Sequence, residues 1–413
     1  MKGYRMPTPI PIDEISTQYI TLAFALEQHV EGFVDAYFGP PALRTGGPPR
    51  PPQSIAADVD ALRQQVQQSD YPPQRKGFLA VQLRAMAALA RKLAGEPLTY
   101  RDEVRLLFDI EPHHTTEIIF EEAIAILNEA LPGTGALTER MAAWKQRYEV
   151  APPVARQMID RIATEARSRT LAFVPLPANE AVEFTLVNNQ PWSGYNWYLG
   201  GGRSRVEINT DLPICASSLL DLVCHEAYSG HHTEHTLKEH ALYIERGWGE
   251  HAIQLINTPQ SVISEGIATL AADIIFGDQA ATWVAQEVYP LGNIASQFEQ
   301  EQRIHAANWM LRALNANAAL LLHEQAADAE EVVQYIMRYG LRTEQEARQQ
   351  LRFINTPLWR GYTFTYHAGR DLLQRWFARG NRLTRFRQVL TDQIYPSLVE
   401  QWVLEEERNC VSN

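Results

Sequence analysis

The stretch Val223-Cys-His-Glu-Ala-Tyr-Ser-Gly-His-His-Thr-Glu-His235, VCHEAYSGHHTEH, reads like a zinc-protease helix with altered spacing. In H-E-x-x-H, two histidines one helical turn apart supply nitrogen ligands. The glutamate beside the first polarises a water on the metal, and a later carboxylate completes the ligand set. His225 and Glu226 supply the first half, but Ser229 holds the fourth position and the next histidines are His231, His232 and His235. On a straight helix of about 100° per residue, His231 points about 120° away from His225, whereas His232 returns to within about 20° nearly two turns later. Ser229 and Gly230 are weak helix formers, and glycine admits a widened turn or a break that swings His231 or His232 back toward His225. A third spacing is literal: His231-His-Thr-Glu-His235 fits the inverted pattern H-x-x-E-H, with Glu234 as base. The reading without chemistry is a solvated polar helix face. Against it, five of the twelve histidines fall between His225 and His240, which raises the expectation of a metal site.

Outward from this segment the texture is helical. Apolar spacing of three and four predicts helices over 13–38, 55–68, 74–95, 99–109, 115–131, 137–149 and 152–171. It predicts more over 214–246, 260–276, 278–289, 293–325, 329–339, 343–353, 361–378 and 395–407. Gly39-Pro40-Pro41 stops the first, and GPPALRTGGPPRPPQS (39–54) follows as an extended connector. Between Val182 and Pro213, VEFTLVNN and RVEIN alternate and flank WYLGGG, which predicts a small antiparallel sheet or hairpin leading into the histidine helix. RVEIN, directly upstream of the histidine helix, is where a zincin-like enzyme keeps an edge strand for an extended substrate, with Asn209 to terminate or position it; Gly200–Gly202 are expected to form a turn, the alternative being a close backbone approach.

At 413 residues and 45% apolar, the chain buries a sizeable core without disulfides. The expected organisation is one large helical domain over 1–413, with an N-terminal helical region 1–175 and an active-site region 176–413. A formal charge of −12 with no basic block argues against a nucleic-acid partner. Cys215, Cys224 and Cys410 form neither a CxxC pair nor an even framework, which fits a reducing compartment; with no apolar leader and no 18-residue apolar run, the expectation is cytoplasmic, with no membrane partner. Cys224, in an apolar run without an activating cation, reads as a core thiol, and His113-His114 after a proline as a loop or helix-start feature.

The run HEAYSGHH, preceded by LLDLVC, resembles the HEA-x-PGHH signature of the bacterial domain-of-unknown-function 885 family, relatives of the gluzincin-like metallopeptidases. Ser229 stands where that family usually has proline. SEGIA at 264–268 resembles the family's EGWA, TYHAGRDLL at 365–373 its Y-x-x-G-x-x-x-L, and VDAYFGP at 34–40 an N-terminal signature of some members. The resemblance implies a mainly α, zincin-like fold and one zinc ion per chain. It implies His225 and a displaced second histidine as ligands, Glu226 as base and Glu265 as third ligand. It also raises Tyr366 as a donor to the oxyanion of a tetrahedral intermediate, with His367 a weaker candidate. Independently, Glu265 lies opposite the apolar stripe Ile263, Ile267, Leu270 and Ile274, on a face with Ala268 and Ala272. Its alternative role there is a structural carboxylate near the helix N-terminus.

Of the two displaced histidines, His231 requires the chain to absorb two extra residues and His232 three, so the smaller deformation makes His231 the expected ligand. His232 then faces the substrate side or supports the site through a hydrogen bond. The expected activity is zinc-dependent hydrolysis of a small soluble substrate, such as a short peptide or related amide. A helical scaffold or metal-binding protein that keeps the fold without turnover is the alternative, and a helical di-iron protein lacks the repeated E-x-x-H pairs it requires.

Overall fold

Helices make up 65% of the chain and strands 8%, so the mainly α expectation holds. The computed structural model describes residues 11–44, 47–190, 192–211 and 213–411. The first ten residues, Thr45 and Gly46 of the connector, and the Cys410 side chain lie outside this description. No helix among the described residues is long and apolar enough to cross a membrane.

The Pro259–Ile275 helix holds the arrangement together because three apolar cores meet on it. Val262 packs into a core built from the helices Glu14–Glu27, Pro52–Gln68, Pro73–Leu93 and Tyr100–Phe108 together with residues from 316 to 364. Ala271 and Ala272 join a second core with Pro152–Leu171 and Leu219–Glu226. Ile263, Ile267 and Leu270 join a third with Thr365–Phe377 and Arg382–Thr391. The core therefore does not divide at residue 175. It also explains why Glu265 is buried, at 3% exposure, on a helix with little solvent face.

Two glycines set how closely the Thr365–Phe377 helix approaches it. A methyl group on Gly369 would lie 2.1 Å from the Val262 carbonyl oxygen, and one on Gly266 would lie 2.7 Å from the Gly369 backbone. Only hydrogen fits there. Gly369→Ala is expected to cost about 1–3 kcal/mol in denaturant unfolding, because the two helices must separate to admit the methyl group. Gly95→Ala, where an added methyl group meets nothing within 4 Å but φ is +87°, controls for backbone strain alone.

The sheet differs from the antiparallel expectation. Its order places Arg203–Asn209 in the centre, antiparallel to Gly194–Gly200 and parallel to Ala181–Val187. Gly200, Gly201 and Gly202 all have positive φ and close the tight hairpin between the two antiparallel strands. Ala181–Val187 then pairs on the far side of Arg203–Asn209, whose Val206 and Ile208 are buried. RVEIN is thus a central strand; the edges are Ala181–Val187 and Gly194–Gly200, and it is the latter that lines the cavity.

Local structure departs from the periodicity elsewhere. The helix predicted over 13–38 ends at Glu27; Gly32, at φ +84°, turns the chain into strand Val34–Tyr37, which pairs with Ile253–Leu255. The register slips between Val34 and Ala36, leaving Asp35 in a bulge. The helix predicted over 293–325 is two, Phe298–Met310 and Leu314–His323. An unpredicted helix runs Arg382–Thr391, capped by the Asn381 side chain and burying Phe386, Val389 and Leu390.

Candidate metal and active site

The helix predicted over 214–246 breaks where the histidine spacing is irregular. Leu219–Glu226 ends, Ala227 to Gly230 leave helical geometry, and a new helix starts at His231. Gly230 folds back on the first helix so tightly that an added methyl group would meet the His225 carbonyl oxygen at 2.0 Å and that of Cys224 at 2.3 Å. Ser229 is fully buried and its hydroxyl lies 2.8 Å from that of Thr170. The second helix therefore presents its first residue, His231, beside the last turn of the first.

The rings of His225 and His231 lie 4.7 Å apart, and ligand atoms of His225, Glu226 and His231 all fall within 4.8 Å of one another. Glu265 bridges the pair from the Pro259–Ile275 helix. Its Oε2 is 3.5 Å from His225 Nε2 and its Oε1 is 3.7 Å from His231 Nε2. Tyr362 donates a hydrogen bond to Glu265 Oε1 at 2.6 Å, whereas Oε2 is buried with no hydrogen-bond partner among the described residues.

The proton on His231 can be located. Ser264 Oγ donates its only proton to Glu234 Oε2 at 2.5 Å, so at 3.0 Å from His231 Nδ1 it must accept. A neutral His231 consequently carries its proton on Nδ1 and turns a bare Nε2 lone pair toward Glu265. Burial lowers the His231 pKa to about 3 and that of His225 well below the usual imidazole range, so both rings are neutral. Two neutral imidazoles facing one carboxylate, whose Oε2 beside His225 has no partner among the described residues, are a donor set that fits a divalent cation of the zinc type. The chain Ser264, Glu234 and Lys238, closed by a 2.6 Å ion pair, is the outer support that orients such a ligand.

This decides the other histidines' positions as well. His232, expected either to face the substrate side or to support the site through a hydrogen bond, is fully buried and fills the second role: its Nδ1 meets Ser204 Oγ at 2.9 Å and its Nε2 meets Glu180 Oε2 at 3.0 Å. It anchors the sheet to the second helix and does not line the cavity, because a helix that begins at His231 points its next residue about 100° away. Glu234, the base of the inverted pattern, is equally inaccessible in its pair with Lys238. His235 lines the cavity and stacks on His231, with the rings 5.8 Å apart and 7° from parallel.

The cavity measures about 800 Å³ and is lined by His225, Glu226, His231, Glu265, Tyr362 and Tyr366 at the cluster. The Glu344–Asn355 helix adds Gln349, Gln350 and Arg352, with Arg342 just ahead of it. Burial, then repulsion from Glu265 and Asp35, raises the Glu226 carboxyl to about 8. Burial also raises Glu265 to about 8, against the lowering effect of Tyr362. The Tyr366 ring packs edge-on to Tyr362 at 5.7 Å, and its hydroxyl has no hydrogen-bond partner among the described residues. Tyr366 is 40% exposed where it lines the cavity, but desolvation of its hydroxyl there, reinforced by Glu265 and Glu226, pushes this phenol well above its ordinary value, so it remains a donor. His367 does not line the cavity.

Sequence reasoning gave no role to Tyr362, Ser264, Tyr195 or Asp35, although Ser264 and Asp35 stood inside the quoted runs. Their signal was position: Tyr362 is one turn before Tyr366, and Ser264 directly precedes Glu265. Tyr195 donates to Asp35 Oδ1, and both line the cavity. Cys224 is buried in apolar surroundings that push its thiol well above the ordinary value, as an inert core cysteine requires. His114 pairs with Glu117 at a helix start, 3.1 Å away.

No family model and no curated protein matches this chain. Among solved structures it is similar to a "putative lipoprotein" from Colwellia psychrerythraea, with a TM-score of 0.52 and 17% identity. The match covers 84% of this chain and 66% of that one, so the chain spans slightly less than two thirds of that protein's length. A "putative lipoprotein of unknown function" from Shewanella oneidensis aligns over 86% of this chain and 71% of its own, with a TM-score of 0.48 and 12% identity. At this identity the Colwellia match establishes likeness of fold alone.

Proposed function

We propose that this chain is a zinc-dependent metallohydrolase with a zincin-like fold, akin to the domain-of-unknown-function 885 family, and that it cleaves short peptides or related amides. The observation that carries the reading is the convergence of His225, His231 and the unpartnered Glu265 Oε2 beside Glu226 in one cavity. The 800 Å³ volume supports a small substrate, being within the range of about 300–1,000 Å³ of small-molecule sites.

In this reading His225, His231 and Glu265 hold the ion, which when bound would acidify water and polarise the substrate carbonyl. Glu226 takes the proton from the attacking water and delivers it to the departing amine nitrogen as the C–N bond breaks. Tyr366 donates its free hydroxyl to the developing oxyanion. Tyr362 fixes Glu265, and the Ser264–Glu234–Lys238 chain fixes the His231 ring.

The expected result is about one zinc per chain in protein purified without added metal, together with cleavage in a peptide library. Because Glu226 and Glu265 have raised pKa values near 8 before metal enters, zinc uptake at pH 7 must displace protons. Affinity should then rise with pH up to about 8 and level off, which calorimetry in buffers of different protonation enthalpy will report. Protein that neither takes up zinc nor releases protons would be the scaffold reading. The cytoplasmic assignment belongs to this proposal and rests on the free Cys215 and Cys224. The lipoprotein name of the similar Colwellia structure weighs against it, and cell fractionation decides it.

A further inference from the structure

A stretch of the cavity lining next to Glu226 holds hydrogen-bond acceptors that have no partner among the described residues. Asn196 and Gln254 line the cavity, and each is only 7% exposed. Asn196 Nδ2 donates to the Glu226 carbonyl at 2.5 Å, which fixes the amide and leaves Oδ1 buried without a partner. Gln254 Oε1 is likewise buried and unpartnered. Asp35 completes the set. The bulge at Val34–Ala36 sets Asp35 beside Gln254, the register partner of Ala36, so that both side chains reach the cavity. Tyr195 occupies Asp35 Oδ1, and Oδ2 has no protein partner among the described residues. The Tyr195 hydroxyl proton is therefore already used.

Buried acceptors without donors are expensive to maintain and mark a place where a ligand supplies the hydrogens. Water supplies two. A primary ammonium supplies three and adds the positive charge that Asp35 and Glu226 lack. We infer that Asp35, Asn196 and Gln254 form a subsite for the free α-ammonium group of a peptide substrate, so that the bond presented to Glu226 is the one after the N-terminal residue. This rests on the metallopeptidase reading above and names its substrate class. Water adds to the first carbonyl carbon, the following C–N bond breaks, and Glu226 carries the proton to the leaving nitrogen, yielding a free amino acid and a peptide shortened by one. The ε-ammonium of a lysine side chain has the same donors and is the alternative source.

The test uses zinc-loaded full-length protein and three probes that cannot be hydrolysed at a peptide bond next to a free α-amine: L-leucinol, N-acetyl-L-leucinol and N-acetylcadaverine. Calorimetry should show L-leucinol binding at least about tenfold more tightly than its acetylated form, the factor expected for one hydrogen bond between charged partners. Asp35→Asn should abolish that preference with zinc content unchanged. Gln254→Leu, which removes a buried unpaired oxygen and so is expected to fold, should weaken the preference severalfold. Equal binding of both leucinols, or an undiminished preference in Asp35→Asn, overturns the subsite. Tighter binding of N-acetylcadaverine overturns its assignment to the α-amine. A leucinol preference without cleavage of any peptide keeps the subsite and removes the hydrolase reading. Equal cleavage of free and N-acetylated leucyl peptides does the reverse.

Discussion

Glu226→Gln is expected to leave zinc content unchanged and to lower peptide hydrolysis by about 10²–10⁴-fold, the range of general acid–base contributions. Glutamine keeps the shape and the cavity position while removing the proton carrier. The companion variant, Glu234→Gln, has a different expected outcome. From the sequence alone Glu234 is either the base of an inverted motif or a neutral bystander. In the fold it is fully buried, paired with Lys238 and bonded to Ser264. Its replacement leaves a buried ammonium without its charge partner, so it should cost about 3–5 kcal/mol of stability and weaken zinc binding through a loosened His231. Measuring zinc, hydrolysis and unfolding in both variants separates the roles. Wild-type turnover in Glu226→Gln would remove Glu226 as the base.

His231→Ala should empty the metal site, with a loss well beyond the roughly 10–100-fold that follows from altering an outer support. His232→Ala should retain zinc with an unchanged absorption spectrum in the cobalt-substituted protein. It leaves Glu180 and Ser204 without a ring that both contact, so its effect should appear in stability, at about 1–3 kcal/mol. His235, stacked on His231, is the residue placed to substitute in the His231 variant, and the cobalt spectrum would reveal that as a changed rather than absent site. A site emptied by His232→Ala and left intact by His231→Ala would reverse the assignment.

Much of this was legible along the chain. The helices over 152–171, 259–275 and 329–340 declared themselves through spacing. The Arg382–Thr391 helix also carried a signal, in Asn381 and the spacing of Phe386, Val389 and Leu390, although it went unpredicted. Strand Val34–Tyr37 did not: four residues cannot display a period, and their pairing with Ile253–Leu255 joins segments more than two hundred positions apart. The parallel pairing of the sheet was hidden for the same reason. Alternation reports which face is buried and says nothing of which strand lies alongside.

For the site, the sequence by itself determined the chemistry available: a dense group of histidines beside His225-Glu226, a weak point at Ser229-Gly230, and a carboxylate at Glu265 on an alanine face. It also limited the second ligand to a short choice. Tertiary structure alone decided that His231 meets His225 while His232 turns to Glu180, because the direction of a side chain after a helix break depends on what the broken segment packs against, here the carbonyls of Cys224 and His225. It alone brought Glu265 to both rings and Tyr362 to Glu265, and it alone set the close approach of Gly266 to Gly369 between the two helices concerned. Ligand identity is a property of residue type and is written locally. Convergence is a property of packing, and packing is settled by contacts between residues that the sequence keeps far apart.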